Sequence, residues 1–175
     1  GRAGLFIYYQ DAPIVHNNNF LTTYANTSYI AIDTRYCDND MKITNNTMVD
    51  IDRGRGMYIG LSDGTSSKKV LIANNFVHIK GSSTARGIEL ANSSYVDVFH
   101  NNVHITATSN GQTALFTYYN NGNIRLRNNI FANTGSGYAI YSYTTNVTDI
   151  TSSNYNDLYT TGSNLTRWNN TNQSD

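Results

Sequence analysis

Glu89 is the carboxylate with the most suggestive company. Arg86 precedes it by three residues, and Tyr58, Phe116 and Tyr118 stand in the segments around it. A carboxylate partly desolvated by aromatic neighbours has its pKa raised and can act as an acid or a base. Asp33 or Asp63 would supply the second carboxylate that glycoside hydrolysis uses. A lyase would instead pair a base with a cation that neutralises a uronate, a part Arg86 or Arg55 could take. The plainer reading makes Glu89 half of a surface ion pair worth little energy, and it is the one we favour at this stage. The expectation leans away from an enzyme.

The aromatic residues offer different chemistry. Tyr8, Tyr58, Phe116, Tyr118 and Tyr141 recur at related positions, with Arg35 and Arg55 nearby. Flat rings with polar edges suit the faces and hydroxyls of sugars. Stacked rings can also do no more than brace neighbouring strands. An exposed stripe of this extent favours a contact surface.

Both ideas need an element that repeats. Segments of the form apolar–x–apolar–x–Asn–Asn–x–apolar recur as MKITNNTM (41–48), VLIANNFV (70–77), VDVFHNNV (96–103) and IRLRNNIF (124–131). A short early copy is VHNNNF (15–20) and a decayed late one is TDITSSNY (148–155). The second turn residue falls at 18, 46, 75, 101, 129 and 153, a period of roughly 27 residues. Between these anchors lie alternating segments at 5–8, 30–33, 57–60, 88–91, 115–118 and 140–143, and a third short strand follows several Asn turns, as at Val77-His78-Ile79 and Val103-His104-Ile105. Period-two alternation is the strand signal, and no segment sustains a helical i, i+3, i+4 pattern.

Short strands cannot bury their apolar faces alone, whereas stacked coils can. The sequence therefore predicts an all-β fold: a right-handed parallel β-helix of about six coils with three short strands each, over residues 1–159. Residues 160–175 form a polar tail or cap. Asn is expected at the bend, where it tolerates the left-handed conformation and can hydrogen-bond along a column. In the first strand the outward column is expected to run Phe6, Ala31, Tyr58, Glu89, Phe116, Tyr141. Its neighbour would run Tyr8, Asp33, Gly60, Ala91, Tyr118, Tyr143. Extra residues at 33–40 and 62–69 would build up one flank of this face.

With these Asn-Asn turns the chain resembles the right-handed parallel β-helix repeat family, the pectate-lyase-like superfold, over roughly residues 4–155. The resemblance implies the fold. That superfold hosts lyases, hydrolases, epimerases, adhesins and maturation proteins, so it does not choose an activity. Two enzyme signatures are missing: the Arg-x-Pro-x-x-Arg-like segment of pectate lyases, since Pro13 is the one proline, and the Gly-His-Gly segment of polygalacturonases.

His78 and His104 occupy equivalent positions and should stack facing outward, but no third ligand accompanies them, so neither a metal nor a cofactor is expected. Cys37 is the single cysteine, which excludes an internal disulfide. Twelve Lys and Arg balance twelve Asp and Glu, so the basic surface that selects nucleic acid is lacking. No apolar stretch is long enough to span a bilayer as a helix. Asn-x-Ser/Thr sequons stand at Asn26, Asn45, Asn92, Asn146, Asn164, Asn169 and Asn172, as expected by chance in so Asn- and Thr-rich a chain. The expectation is a secreted or cell-surface module binding a polysaccharide through its aromatic face, with further coils of a larger chain as a possible neighbour. Its rivals are a polysaccharide lyase or glycoside hydrolase using Glu89 with Asp33 or Asp63, and a structural stalk without a ligand.

Overall fold

The structure, a computed structural model, describes residues 3–22, 28–109, 111–143, 149–168 and 170–174. The sequons at Asn26, Asn146 and Asn169, and the start of the late repeat at Thr148, lie outside the described residues.

The chain winds as a parallel β-solenoid of three faces. Coil one holds β1 (Ala3–Tyr8), β2 (Ile14–His16) and β3 (Asn19–Leu21). Coil two holds β4 (Ile30–Arg35) and β5 (Lys42–Thr44), and then β6 (Thr47–Gly60) runs through the corner into coil three. There β7 (Val70–Ala73) follows, and β8 (Phe76–Ala91) again turns a corner into coil four. β9 (Val96–Phe99) and β10 (Asn102–Ile105) complete that coil. Coil five is β11 (Thr113–Tyr118), β12 (Ile124–Arg127) and β13 (Ile130–Asn133); coil six is β14 (Tyr138–Tyr143), β15 (Ile150–Asn154) and β16 (Asp157–Thr160). β17 (Thr166–Trp168) adds one more parallel rung beside β14, and β18 (Thr171–Gln173) pairs antiparallel with β17. Parallel stacking therefore stops at this hairpin. The expected separate third strands are fused with the next first strands in β6 and β8, whose registers shift at the corner.

The core follows from the alternation. Leu5, Ile32, Met57, Ile88, Leu115 and Ile140 share one register line, and Val15, Ile43, Ile72, Val98 and Leu126 another. Nearly all are fully buried, and the lines converge on the axis. Each coil alone would leave its apolar row in water; stacking removes it.

The paired Asn residues divide two tasks. The first of each pair takes the left-handed conformation: Asn17, Asn45, Asn74 and Asn128 have φ between 56° and 58° or, for Asn128, 54°, and His100 replaces Asn at 56°. The second forms a buried ladder, with side-chain amide-to-amide bonds from Asn18 to Asn46 (3.0 Å), Asn46 to Asn75 (3.0 Å), Asn75 to Asn101 (2.9 Å) and Asn101 to Asn129 (3.1 Å). The buried rungs Asn46, Asn75, Asn101 and Asn129 also donate to a carbonyl of the coil before, as Asn75 Nδ2 does to Ile43 O at 2.9 Å. These buried amides thus keep their hydrogen bonds, as burial demands.

Two registers differ from the sequence expectation. The ladder's sixth rung is Asn156, which accepts from Asn129 Nδ2 at 2.8 Å, and not residue 153. The late copy sits three residues further along than its turn residues suggest: Ile124 pairs with Ile150, and after a one-residue irregularity Leu126 lies beside Ser153. In coil two, Ile32 and not Ile30 stands beside Leu5. Ile30, Ala31 and Ile32 are all buried, so a slip by two keeps inward residues inward and alternation cannot detect it.

Candidate functional site

The first strands of successive coils display two outward columns. The corrected order of the first is Phe6, Asp33, Tyr58, Glu89, Phe116, Tyr141, Arg167; the second runs Tyr8, Arg35, Gly60, Ala91, Tyr118, Tyr143. Ala31 belongs to neither, and Asp33 moves into the column with Tyr58 and Glu89. Arg55 and Arg86 are register partners at the corner, three residues before Tyr58 and Glu89.

The charges on this face are paired. Asp33, 3% exposed, receives a two-pronged bond from Arg35, Nε to Oδ1 at 2.8 Å and Nη2 to Oδ2 at 2.9 Å. Glu89, 2% exposed, sits between two guanidinium groups: Arg55 Nε donates to Oε2, and Arg86 Nη1 donates to Oε1 at 2.6 Å. Burial pushes the Arg86 guanidinium below the usual arginine value, and the Glu89 charge opposes that shift. Planar donors matched to a carboxylate are the strong form of this contact. In this arrangement each oxygen of the two carboxylates accepts a hydrogen bond from an arginine.

The rings interleave with these pairs. Arg35 Cζ lies 4.8 Å from the Tyr58 ring centre, and Arg86 Cζ lies 3.7 Å from that of Phe116. Tyr58 lies down over Gly60, where a Cβ would come within 2.5 Å of the ring, so the absent side chain makes the ring's seat. Burial raises the Tyr58 hydroxyl above its ordinary pKa, with Arg35 acting the other way. Phe116 and Tyr141 are 5.5 Å apart in adjacent coils, and Tyr118 and Tyr143 are 5.3 Å apart.

The predicted ring residues divide by exposure. Tyr8 and Tyr143 stand in solvent, Tyr58, Tyr118 and Tyr141 are half-buried, and Phe116 is only 6% exposed beneath Arg86. Phe116 is therefore a strut of the face and offers no open platform. Asp63 falls outside the cluster: it lies in the turn after the strand, where Oδ1 accepts from Ser94 N–H at 2.8 Å and Ser94 Oγ–H at 2.7 Å. It does not face Glu89 as an acid–base partner would.

Sequence reasoning missed the turn that follows. Tyr9, Tyr36 and Tyr119 adopt left-handed φ values of 53°, 54° and 63°, unusual for bulky residues. Tyr9 stacks on Tyr36 at 4.6 Å, and Tyr119 packs beside Tyr118. All three are solvent-exposed and widen the aromatic face at both ends. A Tyr directly after the alternating segment was the signal available.

The two histidines stack as expected, 5.5 Å between ring centres, with His78 Nδ1 3.4 Å from Asp50 Oδ1. Among the described residues no group of three or more His, Cys, Asp or Glu could hold a metal. Among the described residues no helix is long and apolar enough to cross a membrane. Comparison with family models, with curated proteins and with solved structures found no match for this chain.

Proposed function

We propose that this solenoid binds a polysaccharide along the outward face of its first strands, as a secreted or cell-surface module. The observation that carries the reading is the aromatic strip itself: Tyr8, Tyr9 and Tyr36 at one end, Tyr58 midway, and Tyr118, Tyr119, Tyr141 and Tyr143 at the other. Between coils five and six the rings repeat from one coil to the next, Phe116 to Tyr141 at 5.5 Å and Tyr118 to Tyr143 at 5.3 Å. Arg35 pairs with Asp33, whereas Arg55 and Arg86 share the one Glu89 carboxylate, so the ion pairs leave one guanidinium charge in excess among the rings and the tyrosines as the contacts for an uncharged glycan. Kinship with the pectate-lyase-like superfold belongs to this proposal and rests on the Asn-Asn turns.

A second reading is a structural module, favoured by the burial of Phe116 and Glu89 within the strip. Calorimetric titration with a panel of neutral oligosaccharides separates the two. Binding that weakens several-fold in Tyr143→Ala and Tyr58→Ala supports the glycan face, since each variant removes one large contact ring from it. Affinity for none of the glycans, or equal affinity in both variants, removes it. Turnover assays with Glu89→Gln, run at a temperature where its melt shows the variant still folded, address the enzyme reading; hydrolysis or elimination present in the parent chain and lost in that variant would establish it.

A further inference from the structure

The second strands carry a groove that the aromatic face does not use. It is a concavity of about 340 Å3 lined by Phe99, Arg125, Arg127, Ser152, Asn154 and Tyr155, a size at the lower end for small-ligand sites. In register, Arg125 lies between Asp97 and Ser152, and Arg127 between Phe99 and Asn154. The register irregularity at Ile124/Arg125 sits in the groove wall, and such irregularities re-aim side chains near sites.

Its charges are unequal. Arg125 is spent on Asp97, with Nε 2.6 Å from Oδ1 and Nη2 on Oδ2. Arg127 is exposed, and among the described residues no carboxylate comes within ion-pair distance of it. Its guanidinium instead lies 5.8 Å from the centre of Tyr155, while Arg125 lies 5.5 Å from that of Phe99. Tyr155 occupies the left-handed turn position (φ 57°) that Asn17, Asn45, Asn74 and Asn128 hold in other coils, and it is 80% exposed. A bulky ring at that position has a conformational cost that Asn avoids, and its burial on the protein does not offset it.

We propose that this groove is a second binding site, for an acidic sugar residue. The acid, a carboxylate or a sulfate ester, pairs with the free prongs of Arg127, and the apolar face of the sugar ring rests on Tyr155 or Phe99. Ser152 and Asn154 meet its hydroxyls. A single unpaired cation suits one acidic group. It does not suit a nucleic-acid backbone, which needs several. The site is independent of the aromatic face, which lies on other strands.

The test titrates the full chain by calorimetry with a hexuronate oligosaccharide, a sulfated hexose oligosaccharide and a neutral one of equal length. Binding of either acidic probe is expected, weakened at least about tenfold by Arg127→Gln, as loss of a charged hydrogen bond implies. Tyr155→Asn, which installs the residue of the other turns, weakens it several-fold, and Tyr58→Ala leaves it unchanged. The preferred acidic probe identifies the acid. Acidic probes bound no better than the neutral one, or undiminished binding in Arg127→Gln, overturn the site while leaving the aromatic face untouched.

Discussion

Truncating one ladder amide, Asn101→Ala, tests how the coils are held. Asn101 is 1% exposed, and its Oδ1 accepts both the backbone N–H of Asn75 (3.1 Å) and the Asn75 side-chain amide (2.9 Å). Its own amide donates to Ile72 O (2.9 Å), Phe99 O (3.1 Å) and Asn129 Oδ1 (3.1 Å). Alanine leaves two buried donors of Asn75 without an acceptor. Each orphan costs about 1–3 kcal/mol, so the expected loss is about 3–4 kcal/mol once some water enters the gap. For a chain of this size that lowers the melting temperature by about 6–16 °C. Urea denaturation measures the loss, and amide exchange localises it, because Asn75 N–H should lose protection before its neighbours do. The control is Asn128→Gly, which takes the half-buried left-handed position of the equivalent turn one coil on and should change stability little. A loss in Asn101→Ala below about 1 kcal/mol, no greater than that of the control, would refute the ladder as a stabilising element.

Three other outcomes follow from the same geometry. Glu89→Gln strips the carboxylate from between Arg55 and Arg86 and should cost about 3–5 kcal/mol in thermal or urea melts, as breaking a buried pair does; a neutral change would show that the pair is open to solvent. Gly87→Ala would place a Cβ 2.2 Å from Val103 Cγ1 and 2.5 Å from Ala114 O, so the melt should drop by the equivalent of about 1–3 kcal/mol. His104 is held below the ordinary histidine pKa, first by burial and then by the His78 charge. Because the unfolded chain binds that proton before the folded one does, stability should fall as pH drops below about 6.5. In His104→Gln that part of the decline should vanish, and an unchanged pH slope would contradict it.

Much of the architecture was legible because its signals are side-chain identities at fixed spacing. A buried amide in a turn must be bonded, and the solenoid meets that need by repeating Asn, so the column showed plainly at positions 46, 75, 101 and 129. Registers were harder. Ile30-Ala31-Ile32 alternates equally well in either of two alignments, so Asp33 was placed one column away from its true position and Arg35 was assigned to the insertion beyond the strand. The last rung at Asn156 was hidden because Ser152 and Ser153 imitate the turn three residues early. Arg55 and Arg86 were rightly grouped with Glu89, since a lone carboxylate between aromatic coils needs a cation. What spacing could not convey was depth. Phe116 and Glu89 are covered by long side chains from the corner, and Tyr9, Tyr36 and Tyr119 reach the face through a turn conformation that tyrosine seldom adopts.

Selective labelling of the tyrosine rings, followed by NMR during titration with the tightest neutral oligosaccharide, gives the most direct view of the proposed face. The account predicts shifts confined to Tyr8, Tyr9, Tyr36, Tyr58, Tyr118, Tyr119, Tyr141 and Tyr143, with Tyr155 and Tyr159 silent. Shifts spread evenly over the chain, or centred on rings away from the first strands, would contradict it.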